Sequence, residues 1–106
     1  MQEIIPPLPS SEIMKDLKDF SMLLEGETLG GFEVYLVDPS TSKPFTKETL
    51  LSSALYRELG RVRERTFREV GEGTGNSLDL DTSIDSQFCQ IILWDPKEKQ
   101  IVGGYR

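Results

Sequence analysis

Gln87-Phe-Cys-Gln-Ile-Ile-Leu-Trp-Asp-Pro-Lys-Glu-Lys-Gln-Ile-Val-Gly-Gly-Tyr105 carries the clearest structural signal in the chain. Its aromatic and β-branched residues fall into two runs, about Gln87–Trp94 and Gln100–Tyr105, and these predict two strands. The connection Asp95-Pro-Lys-Glu-Lys99 is short, and Pro96 presets φ for a turn, so an antiparallel hairpin is expected. Phe32–Val37 has the same composition and predicts a third strand, ended by Asp38-Pro39, with residues 38–45 as loop. Cys89 alternates with its neighbours in the hairpin and is expected to be a small core residue.

Outward from the strands, helical spacing takes over. Ile13, Leu17, Phe20 and Leu24 recur at intervals of four, three and four, one apolar stripe on a charged helix that Ser10 would cap. Gly26, Gly30 and Gly31 break that pattern. Thr46 is the next expected N-cap, followed by a stripe of Leu51, Leu55, Leu59 and Val62, with a bend near Gly60. Pro6, Pro7 and Pro9 make residues 1–9 an extended lead-in. Residues 10–106 are then a single domain of the α/β (α+β) class, a small mixed sheet of about three strands with two to three helices. Its last strand leaves an edge open. Either that edge meets a partner, a second copy included, or the chain is the front part of a larger domain.

Composition narrows the function. Twelve basic residues against eighteen acidic ones give a net charge of −6 among 106 residues. Such a surface repels phosphate backbones, so nucleic acid is not an expected partner. The longest apolar runs, Val34–Val37 and Ile91–Trp94, are far short of the roughly twenty residues of a membrane span. The opening Met-Gln-Glu-Ile-Ile-Pro-Pro is not a signal peptide. One cysteine allows no internal disulfide, which fits a reducing compartment. Histidine is absent, which excludes imidazole-assisted nucleophiles and His-ligated metals.

The charged residues cluster. Arg57, Arg61, Arg63, Arg65 and Arg68 lie in one segment. Arg57, Arg61 and Arg68 point away from the leucine stripe, with Glu64 spaced to pair with Arg61 and Arg68. This is either a solvated, salt-bridged face or a docking surface for an acidic partner. Arg63 lies at the border of the apolar face, one turn before Phe67, where a half-buried guanidinium needs a carboxylate. Asp79-Leu-Asp-Thr-Ser-Ile-Asp85 can supply one. It is not a calcium loop, since Ile84 and Gln90 replace the required Gly and Glu. It is either an acidic surface loop or a set of aspartates that turn inward to brace Arg63 and Arg106. Gly71-Glu-Gly-Thr-Gly75 lacks the phosphate-loop spacing and reads as a helix terminator and mobile loop.

In order and spacing, Gly60-Arg-Val-Arg-Glu-Arg-Thr-Phe-Arg-Glu-Val-Gly-Glu-Gly-Thr-Gly75, Asp79-Leu-Asp81, Gln90-Ile-Ile-Leu-Trp-Asp-Pro96 and Ile101-Val-Gly-Gly-Tyr-Arg106 resemble one family. It is the group often labelled hemolysins, placed with the GNAT-like acyltransferases that make amino-acid lipids, such as bacterial ornithine- and glycine-lipid N-acyltransferases. The lead-in Ile4-Ile-Pro-Pro7 is similar to that family's start. The acyl-homoserine-lactone synthases are a wider likeness. Arg63 and Phe67 match their Arg-x-x-x-Phe, Asp79 and Asp81 match the start of their acidic element, and Arg106 matches their Arg after a Gly-containing strand. Asp85 falls one residue later than their third acidic position.

The resemblance implies the N-terminal half of a GNAT-like fold and transfer of a fatty acyl group from a carrier thioester to an amine. Asp79 and Asp81 would be catalytic. Arg63, Phe67, Asp85 and Arg106 would bind substrate, and Arg57, Arg61 and Arg68 would dock an acidic acyl carrier protein. It implies acyl-ACP or acyl-CoA as donor, no permanently bound cofactor, and an amino-acid or lyso-lipid acceptor. The setting implied is cytoplasmic, peripheral to the inner membrane face. The strand, loop and helix that hold the donor in that family would follow Arg106, so these residues alone are expected to be inactive. Cell lysis finds no support in the sequence, which lacks a cationic amphipathic surface.

Overall fold

The computed structural model describes residues 2–26, 30–39, 47–80, 85 and 88–105. After the lead-in come α1 (Ser10–Phe20), β1 (Ser21–Glu25), β2 (Glu33–Val37), α2 (Lys47–Ser52), α3 (Ala54–Glu69), β3 (Gln90–Asp95) and β4 (Gln100–Tyr105). The strands form one sheet in the order β1-β2-β3-β4, and every neighbouring pair is antiparallel. The α/β class, the hairpin and the third strand stand as expected. The sheet differs in having four strands, all antiparallel, in place of a mixed sheet of three.

The extra strand comes from Leu24, which the helical stripe had claimed. Helix α1 stops at Phe20 because Ser21 is extended, with φ −128° and ψ 166°. Its hydroxyl donates back to the Leu17 carbonyl. From there Ser21, Met22 and Leu23 pair with Val37, Leu36 and Tyr35. The helix start also differs. Ser10 is its first residue, and the Pro9 carbonyl accepts from the amides of Glu12 and Ile13, each at 3.1 Å.

The second helical region breaks at Ser53 rather than near Gly60. Ser53 caps α3 by accepting from the Tyr56 amide at 3.3 Å. It also donates to Asp16 Oδ2 at 2.8 Å, and that oxygen accepts the Leu55 amide at 3.1 Å. One carboxylate on α1 thus ties down the start of α3. The break turns Leu50 into the core and leaves Leu51 in solvent. Thr46 lies outside the described residues. Gly60 sits within unbroken helix, where a side chain would meet the Asp79 carbonyl oxygen at 3.0 Å.

Ile13 and Leu17 of α1, Leu50 of α2 and Leu55, Tyr56 and Leu59 of α3 pack on Val37, Ile92, Trp94 and Ile101. All three helices therefore lie on one face of the sheet. In the hairpin turn, Asp95 Oδ1 accepts from the amides of Lys97 and Glu98 at 2.9 and 3.1 Å, and Lys99 takes the left-handed conformation. Cys89 is exposed, not core; β3 begins at Gln90, which takes the inward position itself.

Candidate functional site

Helix α3 presents Arg63 toward β3. Its guanidinium donates to Asp85 Oδ1 at 3.2 Å and to Gln90 Oε1 at 2.5 Å, and Gln90 Nε2 donates to the same Asp85 oxygen at 3.0 Å. Asp85 and Gln90 are fully buried, and the Arg63 side chain keeps only 10% of its exposure. A charge in that position must be neutralised. The acid is Asp85, the last of the acidic stretch. Burial pushes the neighbouring Tyr56 phenol well above its ordinary range, and the negative charge of Asp85 adds to the shift. Arg63 and Asp85 thus belong to a closed, oriented polar cluster inside an apolar core.

One turn of loop is held in a similar way. Glu64 is buried and accepts the Thr74 amide at 2.9 Å, the Thr74 hydroxyl at 2.5 Å and the Gly75 amide at 3.1 Å. Arg68 Nε donates to it at 2.6 Å and Arg68 also reaches the Asn76 carbonyl at 2.6 Å. The Thr74 hydroxyl leads in lowering the Glu64 carboxyl to about 2. The segment expected as a mobile loop is therefore stapled to the helix it terminates. Gly73 fits because a Cβ there would lie 2.5 Å from Arg68 Cγ and 2.6 Å from Glu64 Oε2.

Arg61 departs from its expected partner. It pairs with Glu58, Nε and Nη2 each 2.7 Å from a carboxylate oxygen, and not with Glu64. Glu58 also accepts the Leu8 amide at 3.1 Å, which draws it toward the lead-in. Arg57 donates to the Leu51 carbonyl at 3.1 Å. Of the three arginines expected to face a partner, Arg61 and Arg68 are held against acids of their own helix.

Asp79 is placed by its backbone, whose N–H donates to the Gly60 carbonyl at 2.9 Å, one turn before Arg63. Phe67 is 41% exposed. It lines a groove of about 180 Å³ with Leu59, Val62, Arg63, Thr66 and Gly104. Gly104 keeps that wall low, since a Cβ there would come within 2.6 Å of Leu59 Cδ1. Asp81 and Arg106 lie outside the described residues. A larger groove, about 320 Å³, opens between α1 and the β1 side of the sheet, lined by Met14, Leu17, Lys18, Leu23 and Trp94.

Gln90 and Tyr56 were not foreseen as parts of the site. Gln90 had one signal, its place at the first inward position of a strand, where a polar residue must find a partner. Tyr56 had none, because its neighbours come from distant segments.

Residues 62–106 match the family described as an acetyltransferase (GNAT) domain. Over its whole length the chain is 32% identical to a glycine N(alpha)-acyltransferase of Phocaeicola vulgatus, covering 30% of that protein. It is equally similar to a protein of the same name from Bacteroides thetaiotaomicron, covering 29% of it. The chain thus spans about 30% of the length of these curated relatives. No solved structure matches. The resemblance to GNAT-like N-acyltransferases is borne out, and the sheet with three helices is consistent with part of such a fold. Among the described residues no helix is long and apolar enough to cross a membrane.

Proposed function

We propose that this chain forms the acceptor side of an N-acyltransferase that moves a fatty acyl group from a carrier thioester to an amino-acid amine, as in amino-acid lipid synthesis. The observation that carries the reading is Arg63, fixed by Asp85 and Gln90 at the wall of the groove that Phe67 lines. With its charge already met by Asp85, Arg63 is proposed to act as a fixed hydrogen-bond donor at the groove wall rather than as a free charge, and the relatives bear the name of an acyltransferase acting on glycine.

In the proposed reaction the deprotonated amine attacks the thioester carbonyl. A C–N bond forms, the C–S bond breaks, and the thiol leaves with the proton the nitrogen gives up. Asp79 or Asp81 is the proposed relay, taking that proton from the nitrogen and passing it to the departing thiolate, and Arg63 and Arg106 orient the acceptor's carboxylate. Phe67 offers an apolar wall to the acyl chain. Positioning supplies most of the rate in such a transfer. The donor is acyl-ACP or acyl-CoA. An acidic carrier would meet Arg57, Arg61 and Arg68 weakly, because two of the three already face carboxylates.

The test is amide chemical-shift mapping of the labelled chain with glycine and with an N-acylglycine. Shifts confined to residues 59–67 and 102–104, lost in Arg63→Met, support the reading. Shifts elsewhere, or none, refute it. No turnover of an acyl thioester is expected from these residues alone.

A further inference from the structure

Gln2 grips the segment that runs into the acidic stretch at two points. Its amide donates to the Gly75 carbonyl at 2.8 Å, and its Oε1 accepts the Ser77 amide at 2.9 Å. One residue thus holds the chain on both sides of Asn76, with a side-chain oxygen where a strand partner would offer its own carbonyl. The Ile5 amide adds a bond to the Ser77 carbonyl at 3.0 Å. Pro6, Pro7 and Pro9 fix φ along the lead-in, so it behaves as a stiff spacer. Its far end is anchored at Leu8, whose amide meets Glu58 Oε1 at 3.1 Å and whose side chain packs on the core.

From the other side, Glu64 and Arg68 hold Thr74, Gly75 and Asn76, and the Asn76 amide donates to the Thr74 hydroxyl at 3.1 Å. From Thr74 to Ser77 every amide therefore has a fixed partner. Only Leu78 separates Ser77 from Asp79, whose own amide bonds the Gly60 carbonyl at 2.9 Å. Gly60, Arg63 and Phe67 stand at i, i+3 and i+7 of α3 and share one face. Asp79 is thus docked at the head of the face whose next two members line the groove.

We infer that Gln2 is a positioning residue for Asp79: by holding Ser77 it fixes where the Asp79 backbone docks on α3, one turn before Arg63. This role rests on the reading of Asp79 as the proton relay. A relay must lie within hydrogen-bond reach of the nitrogen it serves, and small displacements are costly in a transfer that depends on placement. Helix α3 gives the Asp79 amide one hydrogen bond, and a single bond at the end of a loop opens readily. The strap through Gln2 and Ser77 supplies the second constraint.

Hydrogen exchange and NMR of the labelled whole chain, without ligand, test this. Gln2→Met keeps the side-chain length and removes the acceptor oxygen, whereas Gln2→Glu keeps an oxygen at the same reach. In Gln2→Met the Ser77 and Asp79 amides should exchange about fivefold faster or more. The scalar coupling across the Asp79–Gly60 hydrogen bond should weaken. Ile92 and Trp94, buried in the core, should keep their amide protection, and Tm should change little. Gln2→Glu should restore both signals. A role in stability alone would lower Tm and speed exchange throughout the chain. Unchanged signals at Asp79 in Gln2→Met, the same loss in both variants, or a uniform loss of protection overturns the inference. Glycine mapping with Arg63→Met tests the site reading by a separate measurement, so failure of one is distinguishable from failure of the other.

Discussion

Arg63 and Asp85 stand 22 residues apart in sequence and meet at 3.2 Å, the carboxylate with no solvent exposure. Removing one partner leaves the other charged in the core. Asp85→Ala is expected to cost about 3–5 kcal/mol, as for other buried pairs broken on one side. Arg63→Met combined with Asp85→Leu should cost less than the sum of the single changes. Urea unfolding of the four proteins checks this cycle.

Gln90 holds both members of that pair through its amide. Gln90→Leu keeps the volume but leaves both charged groups short of a hydrogen bond. A loss of about 1–3 kcal/mol is expected, with reduced amide protection at Asp85 in hydrogen exchange.

Glu64 links stability to pH. Its carboxyl is lowered from 4.5 to about 2 in the folded chain, first by the Thr74 hydroxyl. The ionised form is thus favoured by folding. Its contribution is complete above about pH 4.5 and falls away as pH drops toward 2. Thermal melts from pH 6 to pH 2 should show a drop in Tm over this window. Glu64→Gln should lower Tm at pH 6 and flatten the drop.

Gly73 has no room for a methyl group between Arg68 and Glu64. Gly73→Ala should push the two apart and cost about 1–3 kcal/mol, in the range of other overpacked sites. The Thr74 and Gly75 amides should then exchange faster.

Ser53 caps α3 and bonds Asp16 with the same hydroxyl. Ser53→Ala is expected to cost about 1–2 kcal/mol. Ser53→Asp would restore the cap but set a second carboxylate against Asp16, so it should not rescue stability. Denaturant midpoints distinguish the two variants.

The hairpin was legible because its signals are local: two β-branched runs, Pro96, and Asp95 at the turn. Strand β1 was not, since Ser21 ends the helix without any glycine or proline and Leu24 happens to continue the helical spacing. That Arg63 needs an acid was legible from its position on the helix border. Which acid was not, because Asp85 and Gln90 reach it through tertiary packing across 22 and 27 residues. The pairing of Arg61 failed for a related reason. Glu64 has the right spacing, but the loop amides take it, and Glu58 lies closer.

The lead-in is fastened far along the chain: the Gln2 and Ile5 amides donate to the carbonyls of Gly75 and Ser77 at 2.8 and 3.0 Å. On the ribosome, these early residues are made long before their partners. They must wait unpaired while the first helix and strands take shape, and docking is delayed by the large loop that has to close. The lead-in therefore acts as a late clasp. Trimming it should leave the core folded while loosening the loop that Glu64 anchors.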